Sequence, residues 1–257
     1  MYSVLNYIGK KEVNLLEDMM VLDMKVYCEP FSGSYNTGFK LIDTGYKAKY
    51  ILNDLDENIY NFWLQLKNKH SLVETRIKYM IDKIDKLIKG ENTKEDNKRV
   101  EEYLNKKLES SWKVDRAAAE FIYRQSITMD GLKYRRSKIE NILSLDFYIN
   151  HEYLMGVTLS NKDYKEMFKK YDSKNTFFFI DPPYSIDRVD KYYRCDCSKF
   201  DHKELSKKIK KLQGRWLLTY NYDEKILDMY KDYNIEVVER KMFGRTYREL
   251  YIRNYKI

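Results

Sequence analysis

The sequence predicts an α/β fold in which helices cover both faces of a largely parallel sheet. Three observations predict it. Short strand-like segments occupy residues 25–29 and 49–53, long charged segments with helical spacing of apolar residues run from about 59 to 170, and strand-like segments return from residue 176. The sheet is therefore split along the chain, with its first strands before the helical block and its last strands after it.

The first strands belong to a pattern of strand, glycine-containing turn, helix, strand and acid. The strand at 25–29 runs into Pro30 and the stretch FSGSYNTGF, a helix follows, and the strand at 49–53 stops at Asp54. A helix is also predicted over residues 12–22, where apolar residues recur at helical spacing. This order of elements is typical of a nucleotide-binding βαβ unit.

The middle block has the pattern of an inserted helical domain. Its apolar residues recur three or four positions apart while the rest are mostly charged. The stretch GENTKEDNK predicts an exposed loop, and GLKYRRSK is the densest basic patch near an aromatic residue.

The carboxyl-terminal part alternates strands with one amphipathic helix. The predicted helix covers residues 202–213. The predicted strands are 176–180, 215–220, 235–239 and 249–253.

Composition and charge restrict the class of protein. Of the 257 residues, 43% are hydrophobic and 15% aromatic, which favours a globular chain, and the net charge of +8 suits a polyanion such as nucleic acid. No apolar stretch is long enough to cross a bilayer or to act as a signal peptide, so we expect no membrane partner and a cytoplasmic location. Cys195 and Cys197 are spaced too tightly for an ordinary zinc site, so no metal is predicted.

Four stretches in this order resemble one enzyme family, the adenine-N6 DNA methyltransferases of the Dam type, also called the D12 class. They are NYIGKK at 6–11, EPFSGS at 29–34, LNDLDENIYNFW at 52–63 and IDPPY at 180–184. The later stretches YRCDCSKFDHKEL, RWLLTYNYDE and ELYIRNY are also similar to the family's late motifs.

The resemblance implies a fold and an organisation into domains. The fold is a Rossmann-like sheet of S-adenosylmethionine-dependent methyltransferases with an inserted, mostly helical DNA-recognition domain. Residues 1–60 and 166–257 then form the catalytic domain and residues 61–165 the insertion. The implied activity is site-specific transfer of a methyl group to N6 of a flipped adenine in double-stranded DNA.

By this resemblance the catalytic residues are Asp181, Pro182, Pro183 and Tyr184. The exocyclic amine of adenine is a poor nucleophile because its lone pair is delocalised into the ring. A carboxylate and a proline carbonyl only accept hydrogen bonds, and rigid Pro-Pro geometry fixes their directions. The ring of Tyr184 is expected to stack on the flipped base.

The resemblance also implies a set of residues that bind S-adenosylmethionine: Tyr7, Lys11, Glu29, Phe31, Gly33, Asp54 and Asp181. Lys10 is an alternative to Lys11. Asp54 follows Gly33 at about the spacing expected for an acid that binds ribose hydroxyls, and Asp56 is its rival.

The glycine loop departs from the family pattern at one position. Tyr35 stands where the family has a second glycine. Gly38 is expected to compensate only in part.

The candidate DNA-binding residues lie in the middle block: Arg124, Lys133, Tyr134, Arg135 and Arg136. For each of them an ordinary solvated surface position is an alternative. Two other functions also stay open, a cytosine-N4 DNA methyltransferase and a non-catalytic DNA- or cofactor-binding subunit of the same fold. The sequence does not decide whether a cognate restriction endonuclease exists as a partner.

Overall fold

The computed structural model describes residues 3–5, 23–88, 92–128, 131–145, 147–184, 200–242 and 245–256. Their contacts divide them into two compact units. The helical unit contains residues 3–5, 33–44 and 56–159, and the sheet unit contains residues 23–32, 45–55 and 160–256, both with the gaps just given.

The strands of the described residues are β1 Val26–Glu29, β2 Lys49–Asn53, β3 Ile127–Thr128, β4 Gly131–Leu132, β5 Val157–Ser160, β6 Thr176–Ile180, β7 Arg215–Asn221, β8 Asn234–Met242 and β9 Arg245–Arg253. The helices of the described residues are α1 Asn36–Asp43, α2 Glu57–Asp85, α3 Lys94–Leu108, α4 Lys113–Ser126, α5 Arg136–Leu145, α6 Phe147–Met155, α7 Tyr164–Tyr171, α8 His202–Ile209 and α9 Glu224–Met229.

The central sheet is mostly parallel. Within the described residues it has seven strands in the order β5-β2-β1-β6-β7-β9-β8. Strand β1 pairs in parallel with β2 and β6, and β6 pairs in parallel with β7, whereas β9 runs antiparallel to both β7 and β8. The predicted fold class, a Rossmann-like methyltransferase sheet, is confirmed.

Strand β6 is in the middle of the sheet because its sequence suits burial on both faces. All five residues of TFFFI are buried. Phe178 meets Phe168 of α7 edge to face at 5.2 Å, and Phe177 stacks on Tyr27 of β1 at 6.1 Å. The strand therefore holds its carboxyl end, Ile180, in a rigid position.

Helices α7, α8 and α9 each begin with an aspartate N-cap. Each is preceded by an aspartate whose carboxylate accepts a backbone N–H of the first turn: Asp163 from Lys165, Asp201 from Glu204 and Asp223 from Lys225.

The helical unit has its own aromatic core. Phe62 of α2 meets its neighbour Trp63 edge to face and stacks on Phe121 of α4, which meets Phe147 of α6 edge to face. Helix α2 is kinked at Lys69, where the backbone leaves helical angles.

The structure agrees with most predicted strands and corrects the middle block. Strands β2 and β6 have the predicted bounds, and β1 begins one residue later than predicted. The exposed loop predicted for GENTKEDNK is wrong from Lys94 onward, because Thr93 and Asp96 form a capping box that starts α3. Strand β5 was not predicted, since four residues between helices give little periodicity. The helix predicted over 12–22 lies outside the described residues.

Candidate active site

The stretch after β6 brings a carboxylate to the edge of the sheet. Ile180 of β6 lies opposite Leu218 of β7, so the next residue of each strand, Asp181 and Thr219, are neighbours. Asp181 Oδ1 accepts hydrogen bonds from Thr219 Oγ1 at 2.6 Å and from Tyr184 Oη at 2.6 Å. Pro182 is buried, and it follows the carboxylate directly. Two hydroxyl groups thus fix one oxygen of Asp181.

Tyr184 is a hydrogen-bond donor over the whole physiological pH range. Burial raises the pKa of its phenol well above the usual value, and the nearby charges of Asp181 and Glu249 raise it further. Its ring lies 5.7 Å from the ring of Tyr220, centroid to centroid. The side chain is half-buried, so part of its surface is accessible.

A row of aromatic side chains lines the same edge of the sheet unit. We call it the aromatic arc, and its members are Tyr164, Phe31, Phe200, His202, Tyr220 and Tyr184. Successive ring centroids are 5.3, 5.6, 5.0, 5.6 and 5.7 Å apart.

A polar contact joins two members of the aromatic arc. The ring Nδ1 of His202 and the hydroxyl of Tyr220 are 2.8 Å apart, and burial lowers the pKa of His202. At neutral pH the imidazole is therefore uncharged, and the arc offers neutral aromatic surface.

The ends of β1 and β2 carry two carboxylates. Glu29 is buried and accepts a hydrogen bond from Tyr27 Oη at 2.7 Å. Asp54 follows β2, is partly exposed, and its backbone N–H donates to Ser160 O at 3.2 Å. Parallel strands place both groups at the same edge as Asp181.

Asn53 holds these strand ends together. Its side-chain amide donates to Pro30 O at 2.8 Å and to Lys162 O at 2.9 Å, and its Oδ1 accepts from Lys162 N at 3.0 Å. The backbone carbonyl of Asn53 accepts from Ser32 N at 2.9 Å. A fully buried amide with this many bonds fixes the loop that follows β1.

Most of the chain matches one family. The model of the D12 class N6 adenine-specific DNA methyltransferases matches residues 7–243. The chain belongs to that class.

Two curated relatives span nearly the same length. Type II methyltransferase M.CviBI of Paramecium bursaria Chlorella virus NC1A is 23% identical over 257 aligned residues, which cover 94% of this chain and 91% of the relative. Type II methyltransferase M.MjaIII of Methanocaldococcus jannaschii is 25% identical over 253 residues, which cover 91% of this chain and 87% of the relative.

Membership makes this chain a site-specific adenine-N6 DNA methyltransferase, and S-adenosylmethionine is the methyl donor of such enzymes in general. Among the described residues, no helix is long and apolar enough to cross a membrane. In the same residues, no group of three or more His, Cys, Asp or Glu side chains is arranged to hold a metal ion.

The glycine loop of this D12 methyltransferase, which follows β1, accommodates Tyr35 in place of the family's second glycine. Tyr35 adopts φ 51°, a left-handed conformation that glycine takes without strain. Its ring is fully buried beside Phe39 and covers Gly38, where an added Cβ would lie 2.4 Å from the ring. Gly33 also has a positive φ, and its carbonyl accepts from Trp63 Nε1 at 3.0 Å. Tyr35 therefore fits this loop because residue 38 has no side chain.

Asp56, the alternative to Asp54 as the ribose ligand of this methyltransferase, has partners of its own. The Asp56 carboxylate caps α2 by accepting from Asn58 N at 2.8 Å, and it lies 3.5 Å from the guanidinium of Arg124. Asp56 therefore has a structural role at the start of α2, and Asp54 stays the predicted ribose ligand. Tyr7, Lys10 and Lys11 lie outside the described residues.

The five candidate DNA-binding residues of the methyltransferase have different environments. Arg124 is buried and bonds to Glu120 at 2.6 Å, and Tyr134 is buried with its hydroxyl 3.1 Å from Asp85. Arg136 pairs with Asp82, Asp85 and Glu140.

Lys133 and Arg135 are exposed. Both therefore stay predicted DNA contacts. Arg124, Tyr134 and Arg136 each contact acids of this chain, which occupy the groups that a phosphate or base would need.

Sequence reasoning missed five side chains of this site, namely Thr219, Phe200, His202, Tyr164 and Tyr220. Phe200 and His202 lie in a stretch that resembles the family, but neither was assigned a role. The signal for Thr219 is a hydroxyl in the otherwise apolar run RWLLTY, just before the strand ends. Only the register of β6 and β7 shows that this hydroxyl meets Asp181.

Proposed function

We propose that the sheet unit carries out the methyl transfer, with Asp181 as the residue that binds the N6 amine of an adenine flipped out of double-stranded DNA. The observation that carries this proposal is the fixed Asp181 carboxylate at the carboxyl end of β6, beside the half-buried ring of Tyr184. Open α/β sheets bind ligands at this edge.

Asp181 and the carbonyl of Pro182 act on the amine as acceptors. When both N–H groups of the amine donate to them, the nitrogen lone pair is localised and turned toward the methyl group. The acceptors are positioned before the base arrives, so little reorganisation is needed during the reaction. Asp181 then stabilises the positive charge that develops on the nitrogen.

Tyr184 holds the base by stacking. The contact contributes about 1–3 kcal/mol per base in single-strand binding. It requires an adenine outside the duplex, because a ring inside the helix has both faces covered. Pro183 keeps the short connection between Asp181 and Tyr184 rigid.

The residues at the ends of β1 and β2 fit S-adenosylmethionine. The ring centroids of Phe31 and Phe200 are 5.6 Å apart, and these rings offer apolar surface for an adenine ring. Asp54 offers two oxygens for the ribose hydroxyls. Glu29 and the loop at Gly33 are the other described members of the predicted set, and Tyr7 and Lys11 remain predictions. The cofactor supplies an electrophilic methyl group on a sulfonium, and these side chains bind and orient it.

The predicted insertion, residues 61–165, is proposed to recognise the DNA target. Lys133 and Arg135 are two exposed cations close together in this insertion, which suits phosphate contacts. A cognate restriction endonuclease remains a prediction, since no residue of this chain bears on it.

The test is transfer of tritium from labelled S-adenosylmethionine to duplex DNA, followed by analysis of the methylated nucleoside. We expect N6-methyladenine, and N4-methylcytosine would contradict the base assignment. Asp181→Ala is expected to lower kcat by about 100- to 1,000-fold, the range seen when one preset electrostatic contact is removed. Asp228→Ala, a change at an exposed acid of the same unit, should leave kcat unchanged. Full activity of Asp181→Ala would refute the assignment.

A further inference from the structure

We infer that Thr219 is a positioning residue for methyl transfer, and that its hydroxyl sets the plane of the Asp181 carboxylate. The inference rests on the proposed role of Asp181. It adds a residue on a different strand, β7, to the group that controls the reaction.

The backbone of Thr219 is held within the sheet. It lies in β7, pairs with Tyr251 of β9 on one side and follows Leu218, which pairs with Ile180 of β6 on the other. The side chain is completely buried. A β-branched side chain also has few rotamers, so the position of Oγ1 is determined by the sheet.

The single hydroxyl hydrogen of Thr219 is assigned to Asp181. Oγ1 lies 2.6 Å from Asp181 Oδ1 but 3.5 Å from Ile180 O. It is also within reach of the Tyr184 hydroxyl. An ionised carboxylate is a stronger acceptor than a carbonyl or a phenol, and 2.6 Å is the length of a charge-assisted O–H···O bond.

The carboxylate needs such a donor because its own torsion is soft. The rotation about the last bond of an aspartate is broad and roughly two-fold, so the backbone alone does not fix the carboxylate plane. A bond to Oδ1 does fix it. The direction in which the other oxygen accepts is then fixed as well, since the group is planar.

Tyr184 donates to the same oxygen but has a different role. It lies beyond β6 in the Asp-Pro-Pro-Tyr stretch, is half-buried, and must present its ring to the base in the proposed mechanism. Thr219 lies inside the sheet and has no such second task. It is the donor that stays in place when Tyr184 changes its contacts.

A purely structural role for Thr219 is the competing explanation. Buried hydroxyl groups need partners, and a threonine could be retained only for stability. Thr176 provides a matched control. It is buried in β6, near the opposite end of the strand, and its hydroxyl lies 2.9 Å from Ser173 Oγ. Thr176→Val therefore removes a buried hydroxyl of the same sheet away from Asp181.

The experiment measures kcat, the KM for duplex DNA and the affinity for S-adenosylhomocysteine in Thr219→Val, Thr219→Ser and Thr176→Val. For Thr219→Val we expect kcat to fall about 10- to 100-fold, while KM and cofactor affinity stay within about twofold. Thr219→Ser keeps the hydroxyl and should retain at least about a third of kcat. Thr176→Val should lower the melting temperature with no change in kcat.

A double-mutant cycle separates positioning from a general effect. In an Asp181→Ala background, which has no side-chain acceptor for the Thr219 hydroxyl, Thr219→Val should change kcat by less than about threefold, since Thr219 acts through the carboxylate. An equal loss in both backgrounds would overturn the inference. If Thr219→Val does not fold, Thr219→Ala takes its place with the same expected results.

The outcomes also separate this inference from the proposed function. Full kcat in Thr219→Val, with activity lost in Asp181→Ala, overturns the role of Thr219 and leaves the transferase assignment intact. Full activity in Asp181→Ala overturns both.

Discussion

The helical unit and the sheet unit hold their charged side chains in different ways. In the helical unit, the buried guanidinium of Arg124 pairs with Glu120 and lies 3.5 Å from Asp56. In the sheet unit, the partly buried carboxylate of Asp181 accepts hydrogen bonds from two neutral hydroxyls, those of Thr219 and Tyr184. Opposite charges that meet in the interior are suited to holding structure, whereas hydroxyl donors orient a carboxylate without neutralising it.

The largest effect is expected from removing the buried cation of the helical unit. Arg124→Ala leaves Glu120, which is fully buried, without its guanidinium partner. Breaking a buried pair in this way costs about 3–5 kcal/mol, so the free energy of unfolding in urea should fall by that amount.

Arg136→Ala is the matched control for Arg124→Ala. Arg136 contacts three carboxylates, but 45% of its side chain is exposed, so the free energy of unfolding should fall much less than in Arg124→Ala. Unchanged stability in Arg124→Ala, together with weaker DNA binding, would return Arg124 to a DNA-contacting role.

The two units also differ in how much of them could be predicted from sequence. In the sheet unit, strands β2 and β6 have the predicted bounds because short apolar runs ending at Asp54 and at Pro182 mark where a strand stops. Asp181 follows the second of these strands, in the IDPPY stretch whose resemblance to the family predicted it as a site residue. Thr219 was not predicted, since its partner depends on strand register.

In the helical unit the sequence predicted helices but not the partners of their side chains. A basic residue in a charged helix looks the same in sequence whether it faces solvent or a buried acid. Arg124 and Arg135 were therefore treated alike, although one is buried and the other exposed. The i, i+4 spacing of Glu120 and Arg124 was the available signal for an internal pair.

An intermediate effect, this time on kcat/KM, is expected from removing the aromatic ring of Tyr184 in the sheet unit. Tyr184→Ala removes the stacking surface and should lower kcat/KM by about 5- to 150-fold, equivalent to about 1–3 kcal/mol. Tyr184→Phe keeps the ring and loses the bond to Asp181, so most of the activity should remain while Thr219 still holds the carboxylate.

The control for Tyr184→Ala is an exposed aromatic of the helical unit. Tyr79 is 44% exposed and stacks on Arg76, so Tyr79→Ala should leave kcat/KM unchanged. Equal losses in Tyr184→Phe and Tyr184→Ala would show that the hydroxyl, and not the ring, is the important group.

The smallest effect is expected on the salt dependence of DNA binding, and it compares neighbouring basic residues of the helical unit. Arg135 and Arg136 are neighbours and both are exposed, but Arg136 contacts the carboxylates of Asp82 and Glu140. If Lys133 and Arg135 bind phosphates, each change to Ala should reduce the slope of log K against log salt for duplex binding by about 1. Arg136→Ala should leave that slope unchanged, because a guanidinium already paired with carboxylates releases no phosphate counterion. Equal slope changes in Arg135→Ala and Arg136→Ala would mean that pairing with acids does not decide which of these two cations meets DNA.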